Sequence, residues 1–228
     1  MATATTSLSA TTAKLMTSEE FFDWVHRPEN RDRWFELERG KVIEMPPPGM
    51  RHGVVCGSVG WILNGFVRQR NQGYVCTNDT GVILETDPDT VRGIDVALYD
   101  KSVPYDNLTP KYAASLPKLA VDVLSPDDRP GRMTRRVSQF LRKGIPLVWI
   151  VDAEDRDVTV YRPGREPYVV GEQDELTGED ALPDLRCRVA DFFRMPGAPL
   201  HAAEAESTQR AQSASSSDSG GQGEPSEM

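Results

Sequence analysis

Cysteine is scarce in this chain of 228 residues: Cys56, Cys76 and Cys187 stand far apart and form no CxxC pair. That spacing argues against a disulfide framework, and each is expected to be a small buried hydrophobe in a reducing compartment. Long hydrophobic runs are lacking as well. No stretch reaches the roughly 20 apolar residues that a bilayer span needs, and the opening MATATTSLSATTAK has no apolar h-region. Neither a membrane span nor a secretory signal is expected, and a cytoplasmic location is. Cations are the minority charge, 26 Lys and Arg against 35 Asp and Glu, for a formal net charge of -9. An acidic balance argues against broad nucleic-acid binding by bulk charge, while leaving room for a local basic groove.

What is present is enough for one core. Hydrophobic residues make up 38% of the chain, and the mean hydropathy of -0.48 is depressed by the two ends. Residues 1–16 are rich in Thr, Ala and Ser and are expected to be disordered. Residues 196–228 carry one cation, Arg210, against Glu204, Glu206, Asp218, Glu224 and Glu227, and close on QSASSSDSGGQGEPSEM. Such a segment buries too little apolar surface to offset its ordering entropy, so a disordered acidic tail is expected. It holds -4 of the formal charge and leaves -5 on residues 1–195. No internal repeat is visible, and nothing divides residues 17–195. One α/β domain with a central mixed β-sheet flanked by helices is the economical architecture.

The elements follow from pattern and punctuation. Thr17-Ser18-Glu19-Glu20 matches a capping box before a short helix that must end ahead of Pro28. Phe35 to Glu38 and Lys41 to Met45 alternate around Arg39-Gly40, as a hairpin does, with Phe35, Leu37 and Val42 on one side and Glu36 and Glu38 on the other. Pro46 to Gly49 makes a rigid connector. A long helix is expected over 52–70, weakened by Gly57, Gly60 and Gly65 but open to close approach there. Residues 74–77 and 80–86 read as two short strands, and Ile94 to Tyr99 as a strand that opens on Asp95. Residues 158–162 and 168–170 read as further strands, and 190–195 as a short amphipathic end. Trp34, Trp61 and Trp149 are expected to pack in the core.

The organising stretch is 119–151, LAVDVLSPDDRPGRMTRRVSQFLRKGIPLVWIV. It reads as strand, loop, helix, strand. Ser125-Pro126 stops the first strand, and Met133, Val137, Phe140 and Leu141 fall on one helix face. Gly144 ends the helix, and 147–151 is a continuous apolar run, as in a buried strand. Asp122 is the single acid in the first strand, and an ionised acid there is costly unless it is paired or ligates a metal. Asp95 sits in a second apolar strand. If the two strands are neighbours, both carboxylates reach one point, where a hard divalent ion such as Mg²⁺ fits oxygen ligands. Strand aspartates also cap turns and bind arginine, and on these two acids alone that plainer reading stands ahead.

Arg129, Arg132, Arg135, Arg136, Arg142 and Lys143 make the densest basic segment of the chain, next to the Asp122 strand. A solvated helix face is the commonest fate of such a run. A phosphate-facing surface is the alternative, because guanidinium forks match phosphate oxygens.

The segments FELERGKVIEMPPPGMRHG, GIDVALY, LAVDVLSPDDR and GIPLVWIVDAEDRDVTVYRPG resemble, in matching order over roughly residues 17–195, the Uma2 family of restriction-endonuclease-like proteins. The resemblance implies the restriction endonuclease-like, PD-(D/E)xK fold and metal-dependent phosphodiester cleavage. It implies that Asp95, Asp122 and Glu36 hold Mg²⁺ or Mn²⁺, and that Arg136 stands where the family has a lysine on the following helix. Arg129, Arg132, Arg135 and His52 would then contact nucleic acid, with DNA as the substrate, and a homodimer is expected by analogy. Ile94 stands where the family has proline, and Asp122 where glutamate is common. Aspartate is a methylene shorter, and arginine stabilises a phosphoryl transition state but is a poor proton acceptor. Two rivals remain: a module that binds nucleic acid without turnover, and a protein-interaction domain suited to the acidic balance.

Overall fold

The structure is a computed structural model that describes residues 15–125, 128 and 130–195. The expected disordered ends lie outside the described residues, apart from Leu15 and Met16, and so does Arg129. The chain divides after Phe193, and every element below belongs to the first unit.

Helix α1 (Ser18–Val25) starts on the expected capping box: Thr17 Oγ1 accepts the Glu20 N–H at 3.2 Å, and the Glu20 carboxylate accepts the Thr17 N–H at 3.0 Å. Strands β1 (Trp34–Glu38) and β2 (Lys41–Met45) form the hairpin, closed by Arg39 and Gly40, both at positive φ. Two positive φ values in a two-residue loop match the right-handed twist of the strands they join. Helix α2 (Met50–Arg70) follows the proline connector. Next come β3 (Tyr74–Glu85), β4 (Thr90–Tyr99), β5 (Leu119–Val123), α3 (Pro130–Lys143) and β6 (Val148–Asp152). Strands β7 (Asp157–Tyr161), β8 (Tyr168–Val170), β9 (Glu175–Gly178) and β10 (Leu182–Arg188) lead to a 3-10 turn, Val189–Phe192.

The main sheet runs β2-β1-β4-β5-β6-β7-β8, with β3 also on β4. Its pairings are antiparallel except β5 with β6, which α3 connects as a crossover. Alternation along the strands sends side chains to two faces. On one face Val55, Val59, Leu63 and Val67 of α2 pack with Val96, Val121 and Trp149 and with Leu176 and Leu185 of the small β9–β10 sheet. On the other face Val137 and Phe140 of α3 pack with Ala97, Ala120, Val148 and Ile150. Asp122, one step from Val121 and two from Ala120, shares the α3 face.

Two expectations change, and one strand pair goes unread in the sequence. Residues 74–85 form one strand, not two, because Asn78 and Asp79 bulge out of a ladder that continues past them. The β9–β10 pair was not legible, since Pro183 and the register shift between Leu182 and Arg186 break its alternation. Trp149 is wholly buried, but Trp61 is 78% exposed and Trp34 is 45% exposed, so neither is core.

Candidate active site at the opening of the central sheet

Strand β4 is long enough to serve three neighbours. Strand β3 pairs with it from Thr90 to Tyr99, while β1 meets it at Val91 and β5 at Val96 to Leu98. A strand has two edges, so β1 and β5 share the second, and they part between Val91 and Val96. The side chains named from the sequence converge on that opening.

Glu36 enters from β1 and is 7% exposed. One carboxylate oxygen accepts from Arg92 Nη1 at 2.7 Å. The other accepts from Arg136 Nη1 at 2.6 Å and from the Gly93 N–H at 3.1 Å. Arg136 reaches in from α3, donates through Nε to Asp122 Oδ2, and donates through Nη2 to the Gly93 carbonyl. Side chains from β1 and α3 thus satisfy the Gly93 backbone, as a buried backbone requires. Arg92 also donates to Gln139 Oε1 at 3.1 Å, a second tie between β4 and α3.

Asp95 and Asp122 interlock through their backbones. Asp95 Oδ2 accepts the Val123 N–H at 2.7 Å, and the Asp95 N–H points to Asp122 Oδ1 at 3.5 Å. From the opposite layer, His52 in the first turn of α2 places Nε2 at 3.1 Å from Asp95 Oδ2. Cys56, one helical turn on, places its sulfur at 3.4 Å from His52 Nδ1. The sequence had put His52 among nucleic-acid contacts; its ring faces Asp95.

Asp79 is a site residue that sequence reasoning missed. Thr77 pairs with Val96 and Thr80 with Ile94, so Asn78 and Asp79 together oppose Asp95. Both take positive φ, 66° and 53°, a region that Asn and Asp tolerate better than most residues. The bulge turns Asp79 toward the acids, the usual use of a bulge beside a site. Gly93 leaves room for it: a Cβ there would lie 3.0 Å from both Cβ and the carbonyl oxygen of Asp79. The signal in the sequence was Asn-Asp inside an otherwise strand-forming run.

The charges do not balance. Glu36, Asp95 and Asp122, all buried, and the half-buried Asp79 face the buried Arg92 and the largely buried Arg136, with His52 beside them. Burial pushes Asp122 up to about 6, with the charge of Asp95 adding to it against Arg136. Burial, then the charge and hydrogen bond of Asp95, push Asp79 up to about 7. Burial also opposes ionisation of Asp95 and Glu36, but His52 and the Val123 N–H for the former, and the two arginines for the latter, hold both below the usual range. The hydrogen bond to Asp95 raises His52. Arg136 stays charged, because Asp122 and Glu36 outweigh its desolvation.

This excess of buried carboxylate suits a divalent cation, which would supply the charge that protons otherwise supply. Asp95 and Asp122 fit a hard ion, and Asp79 stands next to them. Glu36 fits less well, since its oxygens already hold two guanidinium groups and an N–H.

The acids line a cavity of about 510 Å³, walled also by Trp34, Pro47 and Arg132. Arg132 and Arg135 are exposed on α3, and Arg135 pairs with Glu38 at 3.2 Å. Among the described residues no helix is long and apolar enough to cross a membrane.

Three comparisons with known proteins bear on the chain. Residues 18–190 match the model of the family Uma2, described as "Putative restriction endonuclease". A solved structure titled as a "putative nuclease belonging to DUF820 from Anabaena variabilis" superposes with a TM-score of 0.66 at 20% identity, covering 78% of this chain and 97% of that one. At that identity the likeness speaks for the fold alone. Among curated proteins none matches.

Proposed function

Since the chain belongs to the Uma2 family, we propose that it is a divalent-metal-dependent endonuclease that hydrolyses phosphodiester bonds of nucleic acid, with DNA as its substrate. The observation that carries this reading is the convergence of Asp95 and Asp122 at the opening of the sheet, with more buried acid than buried base around them. Asp95 and Asp122 would hold Mg²⁺ or Mn²⁺, with Asp79 the next carboxylate to hand. The ion, when bound, supplies an activated water and offsets charge on a phosphoryl oxygen.

The chain's own residues do the rest. The Val123 N–H and His52 fix the orientation of Asp95, and Arg136 fixes that of Asp122. Glu36 is a positioning residue in this reading: it holds Arg136 and Arg92 in place and leaves the metal shell to the aspartates. Arg132, at the cavity wall on the exposed side of α3, steers the phosphate backbone toward the cavity, while Arg135 beside it is paired with Glu38. A homodimer that cuts both strands belongs to the same proposal; a monomer in sedimentation velocity of the full chain would remove it.

The test is plasmid nicking by the full chain with Mg²⁺ or Mn²⁺, against the same reaction in EDTA. Wild type should cut only with metal, and Asp95→Ala and Asp122→Asn should not cut. Equal cutting by all three, or none by wild type with either ion, would sink the reading.

One observation favours a second reading, a nucleic-acid-binding module without turnover. All three guanidinium nitrogens of Arg136 already donate to protein atoms, which leaves little for a phosphate. A gel shift in EDTA separates the two: retention without a cut product under any divalent ion marks the binding module.

A further inference from the structure

We propose that His52, Cys56 and Asp95 form a second cation site, one that selects a borderline-soft ion of the zinc class and not the hard ion of the nuclease reading. His52 and Cys56 lie four residues apart on α2, so their side chains stack on one helix face. That face meets the opening of the sheet at Asp95. The imidazole is hydrogen-bonded at both ends, to the Cys56 sulfur at 3.4 Å and to the Asp95 carboxylate at 3.1 Å. One donor atom from each residue can be chosen so that all three lie within 4.8 Å of one another.

The scale suits a tetrahedral ion. Zinc bonds of about 2.0–2.3 Å to N, O and S place neighbouring ligand atoms about 3.3–3.8 Å apart in a tetrahedron. The Cys56 Sγ–His52 Nδ1 contact of 3.4 Å has that spacing, whereas Asp95 meets the other ring nitrogen and must swing to reach the same ion. The donor set also discriminates. Sulfur and imidazole favour zinc-class ions, whereas Mg²⁺ takes oxygen and retains water. Three protein ligands leave a fourth position open, as in a catalytic or regulatory site and unlike a closed structural one.

Binding is balanced by protons. The Cys56 thiol is neutral in the free protein, since burial and the charges of Asp95 and Asp79 push it up. On coordination the S–H proton passes to the buffer as the sulfur–metal bond forms, and the ion replaces the thiol–imidazole hydrogen bond. Asp95 is common to both sites. A zinc-class ion there competes with the hard ion for that carboxylate.

The site is tested without recourse to cleavage, using Co²⁺ as the spectroscopic probe. The full chain carrying Cys76→Ser and Cys187→Ser is titrated with Co²⁺ and followed by absorption. A thiolate-to-cobalt charge-transfer band is expected in that background. Adding Cys56→Ser should abolish it, and so should adding His52→Ala to the same background, each checked for folding by circular dichroism. The proposal is overturned if the background chain shows no band, or if a folded chain lacking Cys56 or His52 keeps it. The two readings fail separately. Mg²⁺-dependent cleavage without the cobalt band removes this site and spares the nuclease, and the band without cleavage does the reverse.

Discussion

At the scale of single residues, Arg136 is the group on which the others lean. Its guanidinium is shared by Glu36, Asp122 and the Gly93 carbonyl, and its side chain is 13% exposed. Removing one partner of a buried ionic cluster strands the remaining charges, typically at a cost of about 3–5 kcal/mol. Arg136→Met should therefore destabilise the fold by that order in urea unfolding. Asp122→Asn should do the opposite: it removes a carboxylate that burial disfavours, leaves an amide oxygen for Arg136, and keeps or raises the melting temperature while cleavage is lost. A chain in which both variants lose stability alike would mean that Asp122 is a structural counter-ion and not a ligand. From the sequence, Asp95 and Asp122 could be named because an acid in an apolar strand demands a partner, while Glu36 and Arg136 came only with the family resemblance. What could not be read was how the partners divide. Glu36 was expected at the metal, and only the geometry shows its oxygens committed to arginine and backbone.

At the scale of elements, the bulge in β3 and the glycine opposite it act as one device. Asn78-Asp79 interrupts the alternation, so the sequence suggested two strands where the ladder in fact continues; the extra residue is visible only against the register of β4. Gly93→Ala would press a methyl group to 3.0 Å from Asp79 backbone and side chain, a contact that must push the bulge away. The expected cost is about 1–3 kcal/mol, as for overpacking elsewhere, with Mn²⁺ binding weakened by isothermal titration. Unchanged Mn²⁺ affinity in that variant would remove Asp79 from the site. Helix α3 was legible almost to the residue, because its apolar face repeats at 3 and 4 and Gly144, at φ 108°, ends it. Its basic face was legible in composition but not in role. Arg135 is tied to Glu38, whereas Arg132 stands at the cavity wall. Arg132→Ala should therefore weaken DNA retention uniformly across sequences and shorten the slope of log affinity against log salt by about 1. An unaltered slope in a gel-shift series would make α3 a solvated face and nothing more.

For the whole molecule, the buried acids set how stability answers to pH when no metal is added. Asp79 and Asp122 are raised from 3.8 to about 7 and about 6. The folded chain thus keeps protons that the unfolded chain has released, so their contribution is full below about pH 3.8 and is lost as pH climbs through 6 and then 7. His52, raised from 6.5 by Asp95, acts in the same sense, its contribution fading as pH rises through its folded value. Glu36 and Asp95 act in the other sense: both are lowered in the fold, so they stabilise above their unfolded values of 4.5 and 3.8 and lose that as pH falls through the folded ones. The metal-free melting temperature should accordingly pass through a maximum in mildly acidic solution and decline toward neutrality. A divalent ion takes the place of the missing protons, so Mn²⁺ should raise the melting temperature far more at about pH 8 than at about pH 5. The net charge of -9 bears on this only weakly, since exposed charges are screened and the buried Glu36, Asp95 and Asp122 are not. A metal-free melting temperature that climbs steadily from about pH 5 to about pH 8, with no added gain from Mn²⁺ at the upper end, would show that these carboxylates are already neutralised within the protein and that no cation is wanted there.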